Sequence, residues 1–184
     1  MRNFSRKIFI PALFLMFFLP AKSQSNDECR YLMALTYLRT NTQINEEIKG
    51  LFSRIKLIKK KDKFVEFHLS NRVDFLSITG FKEDLDSTNF GIGKELINNY
   101  KLYHEKYFFE SFRSEFLRRI AEPNESKLFL TFSKPVENYL VAEIGNFDPE
   151  LYQTKKFGLG MKIFFKFDSS GLIENVLYAR SAYN

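Results

Sequence analysis

The sequence predicts an α+β fold in which helices pack on one face of an antiparallel sheet. Near the start of the globular part, apolar residues recur every three or four positions, the period of an amphipathic helix. The sequence after residue 127 favours strands, most clearly where Ile163, Phe165 and Phe167 alternate with Phe164 and Lys166. Helices and strands that are segregated along a chain form separate layers. The predicted sheet comprises a four-strand carboxy-terminal meander and an earlier strand pair.

The first 23 residues are predicted to be a cleaved signal peptide. The apolar run Ile8–Leu19 has 12 residues, whereas a membrane span needs about 20. Three basic residues precede the run, and Ala21–Ser23 offers the small-x-small pattern that a signal peptidase accepts. Cleavage would leave Gln24 first and export the chain to the periplasm or the exterior. An uncleaved amino-terminal anchor is the alternative.

Small residues followed by glutamine resemble the signal peptides of many Bacteroidota, so we expect a bacterial source. Residues 24–184 would then form a single α+β domain, large enough to bury a core without disulfides. Four of the 28 Lys and Arg residues lie in the signal and no acid does, so 24 basic and 22 acidic residues remain. The mature net charge is therefore +2, and nucleic acid is not an expected partner.

The only cysteine, Cys29, has no internal partner for a disulfide. We expect it to be a small, half-buried residue on the first helix. A disulfide with another chain is the alternative in an oxidising compartment.

Two amphipathic helices are expected to open the domain. Three leucines between residues 32 and 38 recur every three positions and place a helix at about 27–39, with Asn26 as its N-cap. A second helix opens near Asn41 or Thr42 and carries apolar residues at helical spacing as far as Ile55.

A strand pair is predicted next. Residues 65–70 alternate between apolar and polar types, Asn71–Arg72 are expected to turn the chain, and a second strand follows from Val73 to Gly80. A later helix is predicted from an apolar ladder at every fourth position, which Pro123 ends. The ladder consists of Phe108, Phe112, Phe116 and Ile120.

The meander is predicted as four strands: Leu128–Ser133, Tyr139–Ile144, Met161–Phe167 and Leu172–Ala179. Asp168–Gly171 provides a four-residue connection with glycine where a left-handed residue is needed, which predicts a hairpin between the last two strands.

This order of elements resembles that of the NTF2-like and cystatin-like folds. In NTF2-like folds a curved sheet wraps a helix and leaves a cone-shaped cavity. The resemblance covers element order alone and implies that aromatic residues facing inward could wall an apolar pocket. The pocket residues expected on this basis are Phe129, Tyr139, Phe165 and Tyr178.

Catalytic residues are not readily identified in this sequence. Glu66 and His68 share the polar face of one predicted strand, and Asp168 is a third weak candidate. Residues two apart on a strand stand about 7 Å apart with parallel side chains, so Glu66, His68 and Ser70 cannot by themselves form a nucleophile, base and acid. A catalytic set would need groups from elements far apart in the chain.

Metal and cofactor sites are not expected, since the chain has two histidines and one cysteine. The second histidine, His104, is expected to lie within a helix. A weak calcium-loop pattern comprises Asp84, Asp86, Thr88 and Glu95, although Asn89 replaces the glycine such loops need. The glycines at 91 and 93 do not form a phosphate-binding loop, because Thr88 and Glu95 stand where Gly and Ser or Thr are required.

A run of basic residues between positions 54 and 63 is the strongest charge feature of the mature chain. A solvated helix end explains it, and an anionic surface or acidic polymer is the functional alternative. The run consists of Arg54, Lys56, Lys59, Lys60, Lys61 and Lys63.

Three functions are compatible with these observations. The favoured one is an exported, non-catalytic module that binds a small apolar ligand, a glycan or another envelope protein. The second is a small exported hydrolase whose site is assembled from distant elements. The third is an envelope-surface adaptor that uses the basic run.

Overall fold

The computed structural model describes residues 26–58, 64–74, 112–146, 148 and 158–183. In chain order the helices are α1 (Asn26–Thr40), α2 (Thr42–Phe52) and α3 (Glu115–Ile120), and a 3-10 turn covers Ser53–Ile55. The strands are β1 (His68–Asp74), β2 (Phe112–Arg113), β3 (Phe129–Ser133), β4 (Tyr139–Gly145), β5 (Gly158–Phe167) and β6 (Ile173–Tyr183). The six strands form one sheet in the order β2-β1-β3-β4-β5-β6. The predicted α+β class is confirmed.

The two predicted amino-terminal helices are confirmed. Asn41 caps α2, since its side-chain oxygen accepts a hydrogen bond from the Ile44 N–H at 3.0 Å. α1 begins at Asn26 itself. Cys29 is exposed on α1, not half-buried as expected, because the buried positions are Tyr31, Ala34, Leu35 and Leu38.

The sheet is mixed, so the prediction of a purely antiparallel sheet is wrong. β1 pairs in parallel with β3, and every other pairing is antiparallel. Alternation shows which face of a strand is buried, but it carries no information about the direction of the neighbouring strand. The order and number of the meander strands β3 to β6 are as predicted.

The expected turn at Asn71–Arg72 is also wrong, because both residues lie inside β1. Between the paired positions Leu69 and Val73, three residues of β1 face the single residue Thr131 of β3. The ladder absorbs the surplus as a bulge. Asn71 and Arg72, whose polar side chains favour a turn, therefore mark a bulge inside the continuous strand β1.

The predicted ladder of helical phenylalanines is interrupted. Phe112 is exposed in β2, where it pairs with Val73. The helix begins only after Ser114, whose hydroxyl accepts a hydrogen bond from the Leu117 N–H at 3.2 Å. Ser114 is an N-cap within an otherwise helical pattern, and it separates β2 from α3.

One hydrophobic core lies between the helices and one face of the sheet. Phe52 and Leu38 of the helices and Phe132, Phe165 and Phe167 of the strands are fully buried in it. The predicted hairpin is confirmed, with Gly171 at φ +83° between β5 and β6. Asp168 stabilises this turn, since its Oδ1 accepts hydrogen bonds from the Ser170 and Leu172 N–H groups.

Candidate functional site

The sheet face opposite α1 and α2, here called the second face, carries Asp74 and Glu143, two carboxyl groups whose pKa values are raised. Because side chains alternate along a strand, the register fixes its members. On β3, β4 and β5 they are Phe129, Thr131, Ser133, Tyr139, Val141, Glu143, Lys162, Phe164 and Lys166. Phe164 is fully buried here and packs against Tyr139 with ring centroids 5.5 Å apart. The second face is therefore partly an interior surface.

Glu143 is the most unusual group on the second face. It stands between Thr131 on one neighbouring strand and Lys162 on the other. Its Oε1 atom is buried and accepts no hydrogen bond in the part of the chain that the structure describes. Burial raises the pKa of Glu143 to about 7, with Lys162 opposing the rise and Asp74 adding to it. Such a carboxyl is partly protonated at neutral pH.

Asp74 is the acidic neighbour of this group. Its carboxylate accepts a hydrogen bond from Arg72 Nε at 3.1 Å on the same strand. Burial raises the pKa of Asp74, while the attraction of Arg72 and Lys162 opposes the rise. Asp74, Glu143 and Lys162 thus form one electrostatically connected group.

A cleft of about 310 Å³ opens beside β1. Its polar and aromatic lining comes from His68, Ser70 and Asn71 of β1, Arg118 of α3, Phe129 of β3 and Asp148. Ligand sites in proteins begin at roughly this volume. The parallel pairing of β1 with β3 brings these distant segments together.

Short-range contacts fix several of the cleft side chains. His68 and Phe129 are cross-strand partners whose rings meet edge to face, with centroids 5.5 Å apart. Arg118 is held one helical turn from Glu115 by an ion pair of 2.7 Å. The Asn71 side chain accepts a hydrogen bond from Arg113 at 3.5 Å. The cleft therefore presents an aromatic wall and an oriented polar rim.

The cleft lies one row of side chains from the buried carboxyl. Phe129 pairs with Gly145, which follows Glu143 by two residues in β4. Gly145 in turn pairs with Gly160 of β5. This glycine pair presents no side chain on the second face between Phe129 and β6, an arrangement typical of close approach by another group.

The three weak catalytic candidates occupy different places. Glu66 is exposed and its backbone carbonyl accepts a hydrogen bond from the Ser126 hydroxyl at 2.7 Å. His68 lines the cleft. Among the described residues, no hydrogen bond joins His68 to Glu66, to Ser70 or to any carboxylate.

Asp168 lies at the far end of the sheet from His68. The row of His68 crosses β3 and β4 and reaches Gly160 of β5. Asp168 follows Gly160 by eight residues, which corresponds to about 26 Å along a strand. Its side chain is used by the hairpin, where hydrogen bonds from Ser170 and Leu172 lower its pKa.

The four expected pocket residues do not share one face. Phe165 and Tyr178 lie on the helix side, where Phe165 meets the Tyr37 ring edge to face at 5.7 Å. Phe129 and Tyr139 lie on the second face. Of these four residues, only Phe129 lines the cleft beside β1.

The remaining predicted sites are described only in part. Arg54 and Lys56 of the basic run are exposed, while Lys59, Lys60, Lys61 and Lys63 lie outside the described residues. The calcium-loop residues Asp84, Asp86, Thr88 and Glu95, together with His104 and the signal peptide 1–23, also lie outside them. Within the described ranges, no three His, Cys, Asp or Glu side chains are grouped so as to hold a metal ion.

Sequence reasoning missed Glu143, Asn71, Arg118 and Asp148. A signal for Glu143 was present, because it is the only charged residue in the apolar strand Tyr139–Gly145. Charged residues are rarely buried without a partner or a function. The other three carry no local signal, since only the fold brings them to one cleft.

Comparison with known protein families, curated proteins and solved structures gives no match. None of the helices in the described part of the chain has the length and apolar character needed to cross a membrane.

Proposed function

We propose that this chain is an exported, non-catalytic module that binds a small saccharide in the cleft beside β1. The observation that carries the proposal is the combination of an aromatic wall, Phe129 with His68, and a rim of amide, guanidinium and carboxylate groups. A sugar ring has an apolar C–H face and a hydroxylated edge. An aromatic side chain suits the first, and oriented polar groups suit the second.

The charge around the cleft favours a neutral ligand. Arg118 lines it beside Glu115, and Arg113 contacts its Asn71. Together with Asp148 these groups comprise two guanidinium and two carboxylate groups. Their charges cancel in sum, so neither an anion nor a cation gains a strong attraction.

The absence of a hydrogen-bonded nucleophile and base in the described cleft favours binding over catalysis. The Ser70 hydroxyl accepts a hydrogen bond from the Arg72 N–H at 3.1 Å, and the His68 ring packs on Phe129. Nucleophilic catalysis requires these groups to be within hydrogen-bond reach of each other. On this proposal the cleft groups contact a ligand and carry out no reaction.

The test is a titration of the mature chain with a panel of neutral and sulfated oligosaccharides, followed by calorimetry or ligand-observed NMR. We expect a neutral member to bind, and Phe129→Ala to weaken its binding by at least about tenfold through loss of the aromatic wall. Leu172→Ala is the matched control, because Leu172 is 55% exposed at the hairpin end of the sheet. It should leave binding unchanged.

The outcomes separate the candidate functions. Failure of all neutral saccharides to bind at millimolar concentration, or equal binding by Phe129→Ala, contradicts the proposal. Selective binding of the sulfated members, reduced by substitution of Arg54 and Lys56, would favour the adaptor that uses the basic run.

A small hydrolase is the second candidate, and one observation favours it. A buried carboxyl with a pKa of about 7, such as Glu143, is suited to proton transfer at neutral pH. On this hypothesis the acid or base would be Glu143, one row of side chains from the cleft. Hydrolysis of chromogenic glycosides or esters that Glu143→Gln abolishes would support this candidate, and no turnover by the wild-type chain would contradict it.

A further inference from the structure

The bulge in β1 contributes two consecutive polar residues to the lining of the cleft. Ser70 and Asn71 both line it, and both belong to the three residues of β1 that face Thr131 alone. A bulge interrupts the regular ladder, so side chains take over part of the local hydrogen bonding. The donors and acceptors of these two residues show what kind of ligand atom can bind beside them.

Three acceptors of the bulge are already engaged. The Ser70 hydroxyl oxygen accepts a hydrogen bond from the Arg72 N–H at 3.1 Å. The Asn71 backbone carbonyl accepts from the Ser114 N–H at 2.8 Å, and the Asn71 side-chain oxygen accepts from Arg113 at 3.5 Å. A ligand that meets this part of the cleft therefore finds oxygens that already have donors.

The side-chain donors of the same two residues are unspent. Ser70 is 6% exposed, and in the part of the chain that the structure describes nothing accepts its hydroxyl proton. The Arg113 guanidinium can only donate, so Asn71 turns its oxygen toward Arg113 and its amino group elsewhere. No described residue accepts from that amino group. A buried donor without a partner costs free energy, so a ligand oxygen that accepts from it is stabilised there.

A carbonyl oxygen suits this arrangement better than a hydroxyl group does. It has two lone pairs and no proton, so it can accept from Ser70 and Asn71 together. A sugar hydroxyl brings a proton of its own, while the side-chain oxygens of both residues already have donors. A hydroxyl bound at this point would leave one proton poorly paired.

The rest of the lining suits the other parts of an amide. Asp148 lines the cleft, and a carboxylate can accept several hydrogen bonds, including one from an amide N–H. Leu69 and Ala121 contribute apolar lining against which a methyl group can pack. An acetamido group combines one carbonyl oxygen, one N–H and one methyl group. It is uncharged, as the cancelling charges around the cleft favour.

We propose that the saccharide bound in the cleft is an N-acetylated amino sugar, whose amide carbonyl accepts hydrogen bonds from the Ser70 hydroxyl and the Asn71 amino group. This inference rests on the proposed function, because it names the class of saccharide for the same cleft. The sugar ring packs on Phe129, and the amide N–H donates to Asp148. Ser70 and Asn71 are then the residues that distinguish acetylated from unacetylated sugars.

The test compares two neutral disaccharides, N,N′-diacetylchitobiose and cellobiose, by calorimetry on the mature chain. We expect the acetylated sugar to bind at least about tenfold more tightly, because a site built around a polar group rejects analogues that leave its own groups poorly paired. Asn71→Asp replaces the amino group by an oxygen of nearly the same shape and should remove most of this preference. Asn175→Asp, exposed on β6, is the matched control and should leave the preference unchanged.

Ser70→Ala tests the second donor. The Ser70 oxygen also serves the Arg72 N–H, so this variant is judged by the ratio of the two affinities. A distorted bulge would weaken both sugars alike, whereas loss of the donor should lower the ratio several-fold by weakening the acetylated sugar alone. Ser169→Ala, exposed in the hairpin, is the control.

The outcomes separate this inference from the proposed function. Equal binding of the two disaccharides, or tighter binding of cellobiose, overturns the acetamido assignment and leaves saccharide binding standing. Tighter binding of glucuronic acid than of N-acetylglucosamine does the same, because the accepting group would then be a carboxylate. A ratio that neither Asn71→Asp nor Ser70→Ala changes also overturns it. Failure of every neutral saccharide to bind at millimolar concentration overturns the proposed function as well.

Discussion

At the scale of single residues, Asn45 shows how one buried amide joins three segments. It is 1% exposed. Its Nδ2 donates to the carbonyls of Leu38 and Asn41 at 2.9 and 2.8 Å, and its Oδ1 accepts from the Val65 N–H at 2.9 Å. The amide thereby fixes the angle between α1 and α2 and the approach of the chain to β1. Its position on the polar edge of the α2 pattern gave no indication of this role.

We expect Asn45→Leu to reduce the free energy of unfolding by about 2–4 kcal/mol, because the buried Leu38 carbonyl and the buried Val65 N–H lose the partner that the Asn45 side chain provides. Asn41→Ala, which removes only the N-cap of α2, should cost about 1 kcal/mol. Urea denaturation followed by circular dichroism measures both. Equal losses in the two variants would show that the buried amide contributes no more than an ordinary cap.

The raised pKa of Glu143 predicts how the stability of the protein depends on pH. Its pKa rises from 4.5 to about 7 on folding, so the folded chain binds this proton more tightly than the unfolded chain does. The stabilisation of the folded chain by the Glu143 proton is complete below pH 4.5 and is lost as the pH rises through 7. The shift corresponds to a loss of about 3 kcal/mol over this window.

Glu143→Gln cannot ionise, so its stability should fall less between pH 4.5 and 7 than that of the wild-type chain. We expect the two to be close at pH 4 and the variant to be the more stable at pH 8. Thermal unfolding across this range measures the difference, with the exposed Glu66→Gln as the control. Parallel pH profiles for Glu143→Gln and the wild-type chain would contradict the raised pKa.

At the scale of elements, alanine substitutions at two glycines are expected to change the stability of the protein in opposite directions. Neither Gly50 in α2 nor Gly171 in the β5–β6 hairpin has an atom within 4 Å of the position of an added Cβ. Steric clashes with neighbouring residues therefore do not contribute to the effect of either substitution. Gly171 has φ +83°, a backbone conformation that L side chains rarely adopt.

Gly50→Ala should stabilise the protein by about 0.5–1 kcal/mol, since alanine favours the helix and restricts the unfolded chain. Gly171→Ala should destabilise it by about 1–2 kcal/mol because of its positive φ. The change in denaturation midpoint at constant m-value measures each effect. Changes of the same sign in both variants would refute this assignment of the backbone conformations.

The elements also show where local sequence patterns are decisive. The period of α2, the alternation of residues 163–167 in β5 and the Asp168–Gly171 turn each depend on neighbours in the chain, and the sequence predicts each of them. The spacing of Phe112 predicts a helix. Pairing with β1 and the cap at Ser114 determine its actual place, and pairing is not a local property.

At the scale of the whole molecule, export is the expectation that determines the mature charge and the compartment. Expressed with its full sequence in a bacterium, the chain should be recovered outside the cytoplasm with an intact mass that begins at Gln24. Replacement of Ala21 and Ser23 by arginine should prevent cleavage, because the peptidase requires small residues there. Recovery of the wild-type chain with residues 1–23 attached would instead indicate an anchor.

Sequence patterns determined the helices α1 and α2, the meander strands, the hairpin and the α+β class, because short-range periodicity and turn chemistry specify them. The tertiary structure decided the parallel pairing of β1 with β3, and with it the cleft that joins His68, Arg118 and Phe129. It also placed His68 and Asp168 at opposite ends of the sheet and buried Glu143. These outcomes depend on contacts between residues far apart in the chain, whose free energies no local pattern encodes.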